Sequence, residues 1–348
     1  MKLAASSLAV LALCAAPALA SAYSDLNAGI AARNRGDSDE AISFLTAALH
    51  SPDLPSRFQA VAHYDRAGAY LVQGQIPEAI ADFNIAIEQR PVWFDAHILR
   101  GAAYEKLGDS KKAISDFGSA IDARPELIGG YLVRAIAFAR SGQFELALED
   151  NNKAIALKPG APSFGSRATT YEQEGRYDLA LPDLQTALSL APNSAGYKLE
   201  TGIAQWATGH PDDAAGSFTD AMNLRPNYAY NWIWLAIADA AQGKAANAFN
   251  RASSSDDQKK WPGPIVEFFA GKIAEKDVFA FAATGDEESQ KGQKCEADFY
   301  VGEWQLLHRS QSEVKQLLDD AQQICPRDFI ELRAANFELA RLSASVKS

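Results

Sequence analysis

Seven glycines recur along the chain, at Gly36, Gly74, Gly108, Gly142, Gly175, Gly209 and Gly243, with spacings of 38, 34, 34, 33, 34 and 34 residues. A chain that repeats itself at such an interval is built from stacked copies of one small unit. Five residues after each glycine lies an alanine: Ala41, Ala79, Ala113, Ala147, Ala180, Ala214 and Ala248. Seven residues before each lies a small residue: Gly29, Ala67, Gly101, Ala135, Ala168, Gly202 and Ala236. Seventeen residues after five of them comes a proline: Pro91, Pro125, Pro159, Pro192 and Pro226. The pattern predicts two helices per unit with a tight turn at the glycine. The small residues let the helices approach. The prolines stop the second helix and start the next unit's first helix, where a missing N–H costs nothing. The chain's 65 alanines agree with a helical reading.

The series small–aromatic–Gly–Ala–aromatic–Ala–Pro resembles the tetratricopeptide repeat. Residues 93–125 carry it as Gly101, Tyr104, Gly108, Ala113, Phe117, Ala120 and Pro125. The resemblance implies an all-α fold, a right-handed superhelical solenoid of antiparallel helix hairpins closed by a C-terminal capping helix. Seven repeats are expected over residues 23–255.

The register has an internal control. Where the seventh position of a repeat is arginine, the twenty-third is aspartate: Arg66 with Asp82, Arg100 with Asp116, Arg134 with Asp150, Arg167 with Asp183. Where one is lost the other is too, as in Ala28 with Phe44 and Thr201 with Ser217. These are read as structural ion pairs between the two helices of a hairpin, in preference to an arginine ladder for an acidic ligand.

Residues 1–22 read as a signal peptide. Lys2 supplies a positive end, Leu3 to Ala20 are apolar or small, and Ala18-Leu19-Ala20-Ser21-Ala22 offers cleavage after Ala20 or Ala22. Cys14 follows Leu13, a poor context for lipid attachment, so a periplasmic or secreted protein is expected in preference to an outer-membrane lipoprotein. Removal of the segment takes the net charge from −11 to −12 and leaves two of the three cysteines.

Beyond Gly243 the second helix is short and polar, ending in Ser253-Ser254-Ser255-Asp256-Asp257. Residues 256–294 form a connector broken at Trp261-Pro262-Gly263-Pro264, with short apolar helices expected at Ile265 to Ala270 and Ala274 to Ala283 and a polar stretch from Gly285 to Lys294. Residues 295–348 read as a divergent eighth repeat, with Gly302, Leu318, Ala321 and Pro326 in register and Arg309 replacing the turn glycine, followed by an amphipathic capping helix from Asp328 to about Leu342. Its apolar residues, such as Leu332, Ala335 and Leu339, alternate with Glu331, Arg333, Glu338 and Arg341. Cys295 and Cys325 fall at adjacent ends of that hairpin. In an oxidising compartment they are expected to pair, closing a loop of about 30 residues worth ~3–4 kcal/mol. A metal or redox pair would want a neighbouring histidine ligand.

Trp261, Pro264, Ile265, Val266, Phe268, Phe269 and Gly271, followed by Phe299-Tyr300-Val301-Gly302, resemble the C-terminal part of bacterial envelope repeat proteins of the NlpI type. The resemblance implies an envelope adaptor that brings a protease or peptidoglycan hydrolases to their partners.

No phosphate loop, nucleophile elbow or H-E-x-x-H motif occurs, and the five histidines are scattered. His63 and His97 share a repeat position and read as packing residues. No enzyme activity, cofactor or metal is expected, and the acidic balance argues against nucleic acid. Carboxylates are expected on solvated outer faces. Positions 2, 5, 9 and 12 of each first helix should line the concave groove. The candidate partner-binding residues are Tyr64, Leu71, Ile98, Leu132, Ile136, Lys198, Trp206, Tyr230 and Ile233, a largely apolar and aromatic set suited to a segment of a protein partner. Within the aromatic run Tyr228 to Trp234, the two tyrosines read as contact residues and the two tryptophans as core. The alternatives are that the groove is filled by the chain's own C-terminal helices or by a second copy in a homodimer. The expected function is an exported, non-catalytic adaptor for proteins or peptides of the cell envelope. The other candidates are an envelope protein with its own peptidoglycan-modifying or hydrolase-regulating activity, and a self-associating structural protein.

Overall fold

The structure is a computed structural model that describes residues 7–244, 260–307, 311–326 and 329–345. All regular elements among the described residues are helices, and the chain divides into two compact units, Met1–Ser141 and Gly142–Ser348. The second helix of the seventh repeat, with Ala248 and the Ser/Asp run, lies outside the described residues. So do Lys2, His308, Arg309, Asp328 and the last residues of the chain.

The first unit contains α1 (Ser7–Arg35), α2 (Ser38–His50), α3 (Ser56–Val72), α4 (Ile76–Gln89), α5 (Phe94–Lys106), α6 (Ser110–Ala123) and α7 (Ile128–Arg140). Helix α1 runs through Pro17 without a break, so the segment read as a signal is continuous with the first repeat helix. No described helix is long and apolar enough to cross a membrane.

The turns follow from the glycines. All seven repeat glycines have left-handed φ, from +65° at Gly243 to +87° at Gly36. At Gly108, with φ +74°, the N–H of Asp109 reaches back to the Tyr104 carbonyl at 2.9 Å and that of Gly108 to Glu105 at 2.9 Å. This closes the helix in a Schellman-type cap that a side chain at the left-handed position would strain. The close approach within a hairpin is equally direct: a Cβ at Gly101 would lie 2.5 Å from the Phe117 ring.

One expectation needs correcting. The repeat prolines stop the second helices but do not occupy the first turn of the next. Pro91 lies outside α5, which begins at Phe94. Its effect falls on the preceding residue: Arg90 sits at φ −137° and ψ 79°, driven from helical geometry by the proline ring.

The arginine–aspartate register produces ion pairs. Arg66 donates to both Asp82 oxygens at 2.7 and 2.8 Å, and Arg100 to both Asp116 oxygens at 2.8 and 2.6 Å. Each arginine also does something the spacing did not reveal. Its Nη1 reaches the previous repeat's second helix, at Thr46 for Arg66 (2.9 Å) and Asn84 for Arg100 (2.8 Å). One planar guanidinium thus fixes its own hairpin and its stacking on the one before, using its forked donors. His63 adds a 2.7 Å contact from Nδ1 to Asp82.

The second unit begins with α8 (Phe144–Leu157), α9 (Ala161–Gln173), α10 (Tyr177–Leu190), α11 (Ala195–Ala207), α12 (Pro211–Leu224) and α13 (Ala229–Ala241). Arg167 repeats the device, holding Asp183 at 2.7 Å through two bonds and Asn152 at 2.7 Å. Arg134 belongs to the first unit and Asp150 to the second.

After the connector come α14 (Gly263–Phe269), α15 (Glu275–Ala282), α16 (Glu287–Leu306), α17 (Gln311–Ile324) and α18 (Ile330–Ser345). Pro262 and Pro264 begin α14 instead of merely breaking a helix, because a first turn needs no N–H from them. The polar stretch before Lys294 is not a loop. Asp286 caps α16 by accepting from the Ser289 N–H at 2.8 Å, and the helix therefore starts eight residues before Cys295. Cys295 and Cys325 are bonded, with Cα atoms 4.9 Å apart, and tie the middle of α16 to the end of α17. Trp234, Phe299, Tyr300 and Phe218 fill the core beneath.

Candidate functional site

In the first unit the first helices α3, α5 and α7 lie side by side. The same repeat position is Tyr64, Ile98 and Leu132 in turn, all half-buried. Leu71 is half-buried as well, and Ile136 is 41% exposed. Tyr64 stacks on Trp93 with ring centres 4.5 Å apart and meets the edge of Phe83 at 6.0 Å. Arg90 covers Trp93 at 4.1 Å. The result is a strip of apolar side chains with rigid aromatic anchors.

The equivalent strip of the second unit differs. Helix α18 lies against α11, and its side chains reach residues named above as partner-binding. Trp206 donates its indole N–H to Glu338 at 3.3 Å. Tyr230 gives its hydroxyl to Glu296 of α16 at 2.7 Å. Ile233 is fully enclosed in the core, so no partner reaches it. Lys198 also departs from the expectation. It occupies the repeat position of His63 and His97, one residue off the groove register, and so turns to its own hairpin, where it holds Asp220 at 2.7 Å. Of the alternatives left open by the residue pattern, occupation by the chain's own C-terminal helices holds for Trp206 and Tyr230.

The capping helix brings charge inward. Arg333, 6% exposed, lies 3.2 Å from Glu172 of α9. Glu172 occupies the twelfth position, shared with Leu71, Glu105 and Trp206, and reading that column down the array would have marked it as a groove residue. Burial pushes the Glu172 carboxyl up to about 8, with Arg333 opposing and Glu200 adding to the rise. Glu303 and Glu338 are also buried, and burial raises both, while Arg341 holds Glu338 at 2.6 Å. The expectation of solvated carboxylates therefore fails for this set, because the packing of α18 against α11 and α16 buries carboxyl groups on both sides of the contact.

A second group lies alongside. Glu296 and Glu331 line a cleft of about 220 Å³ with Tyr228, Tyr230, Trp234 and Tyr300. Tyr230 and Trp261 both donate to Glu296 Oε2, at 2.7 and 2.9 Å, and Tyr300 donates to Glu331 at 2.7 Å. Burial and the neighbouring Glu331 raise the Glu296 carboxyl, and burial raises Glu331. Burial and Glu296 in turn raise the Tyr230 hydroxyl, which stays protonated as a donor. Among the described residues, no three or more His, Cys, Asp or Glu gather to hold a metal ion.

A profile of the tetratricopeptide repeat matches residues 26–92, 64–128, 99–162 and 166–229, more than half of the chain. The chain is a tetratricopeptide-repeat protein. Its fold is similar to a tetratricopeptide repeat protein from Parabacteroides merdae, at a TM-score of 0.57 and 16% identity over 72% of this chain and 98% of that one. Two further solved structures align over smaller parts. A thermophilic TPR protein of Thermus thermophilus gives a TM-score of 0.44 at 21% identity, over 51% of this chain and 98% of that one. YrrB, described as a TPR protein with an unusual peptide-binding site, gives 0.41 at 18% identity, over 55% and 98%. No curated protein matches the chain. Tetratricopeptide-repeat proteins as a class bind proteins or peptides.

Proposed function

We propose that this tetratricopeptide-repeat protein is an exported, non-catalytic adaptor of the bacterial cell envelope, holding an apolar segment of a protein partner on the first unit. The observation that carries the reading is the strip of Tyr64, Leu71, Ile98, Leu132 and Ile136, half-buried or exposed at the groove positions of α3, α5 and α7. Apolar side chains on a rigid helical face, anchored by a stacked Tyr64–Trp93 pair, suit an extended or helical peptide. Holding one partner near another raises effective concentration, which needs no chemistry from the scaffold. The signal-like residues 1–22 and the NlpI-type pattern of residues 261–302 support the envelope assignment.

Crosslinking pull-down from envelope extract tests it, with Tyr64→Ala and Ile98→Glu as groove variants. Both variants should lose the partners that the wild-type chain captures. Capture that survives both, or recovery of nothing but the protein itself, overturns the reading. Cleavage of isolated peptidoglycan by the purified protein, without added hydrolase, would overturn its non-catalytic part.

A further inference from the structure

The cleft beside α13, α16 and α18 combines aromatic walls with buried carboxyl groups. Its walls carry five aromatic rings, those of Tyr228, Tyr230, Trp234, Tyr300 and Phe329, and two buried carboxyl groups face the same space. Tyr228 and Tyr230 lie with ring centres 5.2 Å apart, Tyr230 and Tyr300 at 6.4 Å, and Trp234 and Tyr300 at 6.0 Å. Glu296 and Glu331 are 8% and 6% exposed. Among the described residues neither forms a direct ion pair, although the Arg333 charge acts on Glu331, whereas Glu172 and Glu338 have Arg333 and Arg341 against them. Both side-chain bonds to Glu296 end on Oε2, which leaves Oε1 for another donor.

Buried carboxylates are normally paired, because desolvating a charge without a counter-charge is costly. Ring faces carry negative quadrupole density and attract cations, most strongly where water is displaced. The rim already shows this: the Arg225 guanidinium sits 4.7 Å from the Tyr228 ring centre. A volume of about 220 Å³ admits an ammonium group on a short alkyl stem and excludes a folded peptide.

We propose that this cleft binds an organic ammonium group, either a small free amine or the side chain of a lysine presented by a partner, with Glu296 and Glu331 as its counter-charges and Tyr228 and Tyr230 as the rings at its mouth. The site lies in the second unit and stands independently of the adaptor reading. The raised Glu296 carboxyl fits the same picture, since a bound cation would restore its ionised form and release a proton.

The test is titration of the full oxidised protein with butylammonium, tetramethylammonium and Nα-acetyl-lysine amide, with butanol as the neutral control, followed by tryptophan fluorescence and NMR of the ring protons. Butylammonium should bind at least 10-fold more tightly than butanol. The lysine amide arm separates a protein-borne side chain from a free amine by which of the two saturates first. Glu296→Gln should weaken the ammonium at least 10-fold, and Tyr228→Ala, a change at an exposed ring, should weaken it several-fold while circular dichroism stays constant. Arg225→Ala should leave binding intact or strengthen it. Equal affinity for butanol, no saturation by any ammonium probe in folded protein, or unchanged binding in both Glu296→Gln and Tyr228→Ala would each overturn the proposal.

Discussion

Arg333 on the last helix lies 3.2 Å from Glu172 on α9, more than 150 residues earlier in the chain, and both side chains are buried. This contact converts a helix that could merely cap a stack into one seated in the groove of its own unit. Removing Arg333 should leave the buried Glu172 without its cation. Arg333→Leu should push the Glu172 carboxyl still higher, so that it stays protonated at neutral pH, and is expected to cost about 1–3 kcal/mol through the polar partner lost to a buried group. The paired change Arg333→Leu with Glu172→Leu should recover most of that. Urea unfolding checks the energies, and proteolysis after residue 326 reports whether α18 has come away. Equal stability of the single and double variants would show that the two residues act separately.

The arginine ladder makes a different prediction. Arg100 ties Asp116 and Asn84 at once, so Arg100→Thr should destabilise the first unit by about 3 kcal/mol through a buried Asp116 left with the longer 3.5 Å contact to His97. The sixth repeat already carries Thr201 and Ser217 at these positions, and Ser217 finds Gln205 at 2.7 Å instead. Arg100→Thr combined with Asp116→Ser should therefore be milder than Arg100→Thr alone, and Arg100→Lys intermediate, because an ammonium lacks the fork. Thermal melting of the three variants ranks them.

Two sets of carboxyl groups should respond to pH with opposite sign. Arg66 and Arg100, helped by His63 and His97, hold Asp82 and Asp116 below the usual carboxylate range against the upward push of burial. A depressed carboxylate stabilises above its unfolded value, near 3.8, and that contribution disappears as pH falls through the folded value. Glu296, pushed up to about 7 by burial and Glu331, works the other way. Its contribution is complete below the unfolded value near 4.5 and is lost as pH rises through about 7, a change of roughly 3 kcal/mol at most. Hydrogen exchange should then show α4 and α6 loosening in acid, below about pH 4, and α16 and α18 loosening between about pH 5 and 8. Protection of α16 that increases over that interval would contradict the assignment.

Reduction of the Cys295–Cys325 bond releases a closed loop with a sequence separation of 30. The reduced protein should lose about 3–4 kcal/mol, concentrated in the second unit. Hydrogen exchange with and without reductant measures this, and mass spectrometry of the unreduced protein should find Cys295 and Cys325 bonded and neither as a free thiol.

Much of the local detail is legible in the sequence. The turn glycines, the small residues such as Gly101 and the Arg167–Asp183 pair each recur at a fixed interval, and a local rule repeated along the array is visible by counting. The cysteine pair was legible for the same reason, since Gly302, Leu318 and Pro326 place its two ends. Lys198 shows how thin that margin is. A slip of one residue along a helix turns a side chain by about 100°, enough to exchange the groove for the hairpin interior.

What the repeat pattern determined by itself is the unit, a glycine-turned helix hairpin, and the order in which such units stack, because left-handed turns and close helix approach depend on residues near one another in sequence. What only the tertiary structure decided is the fate of the groove. Leu71 and Glu172 hold the same repeat position, yet one stays half-buried in an apolar strip and the other is sealed beneath Arg333. Burial, and with it the charge state of Glu172, Glu296 and Glu331, is set by helices that return from far along the chain, and spacing within a repeat carries no record of that return.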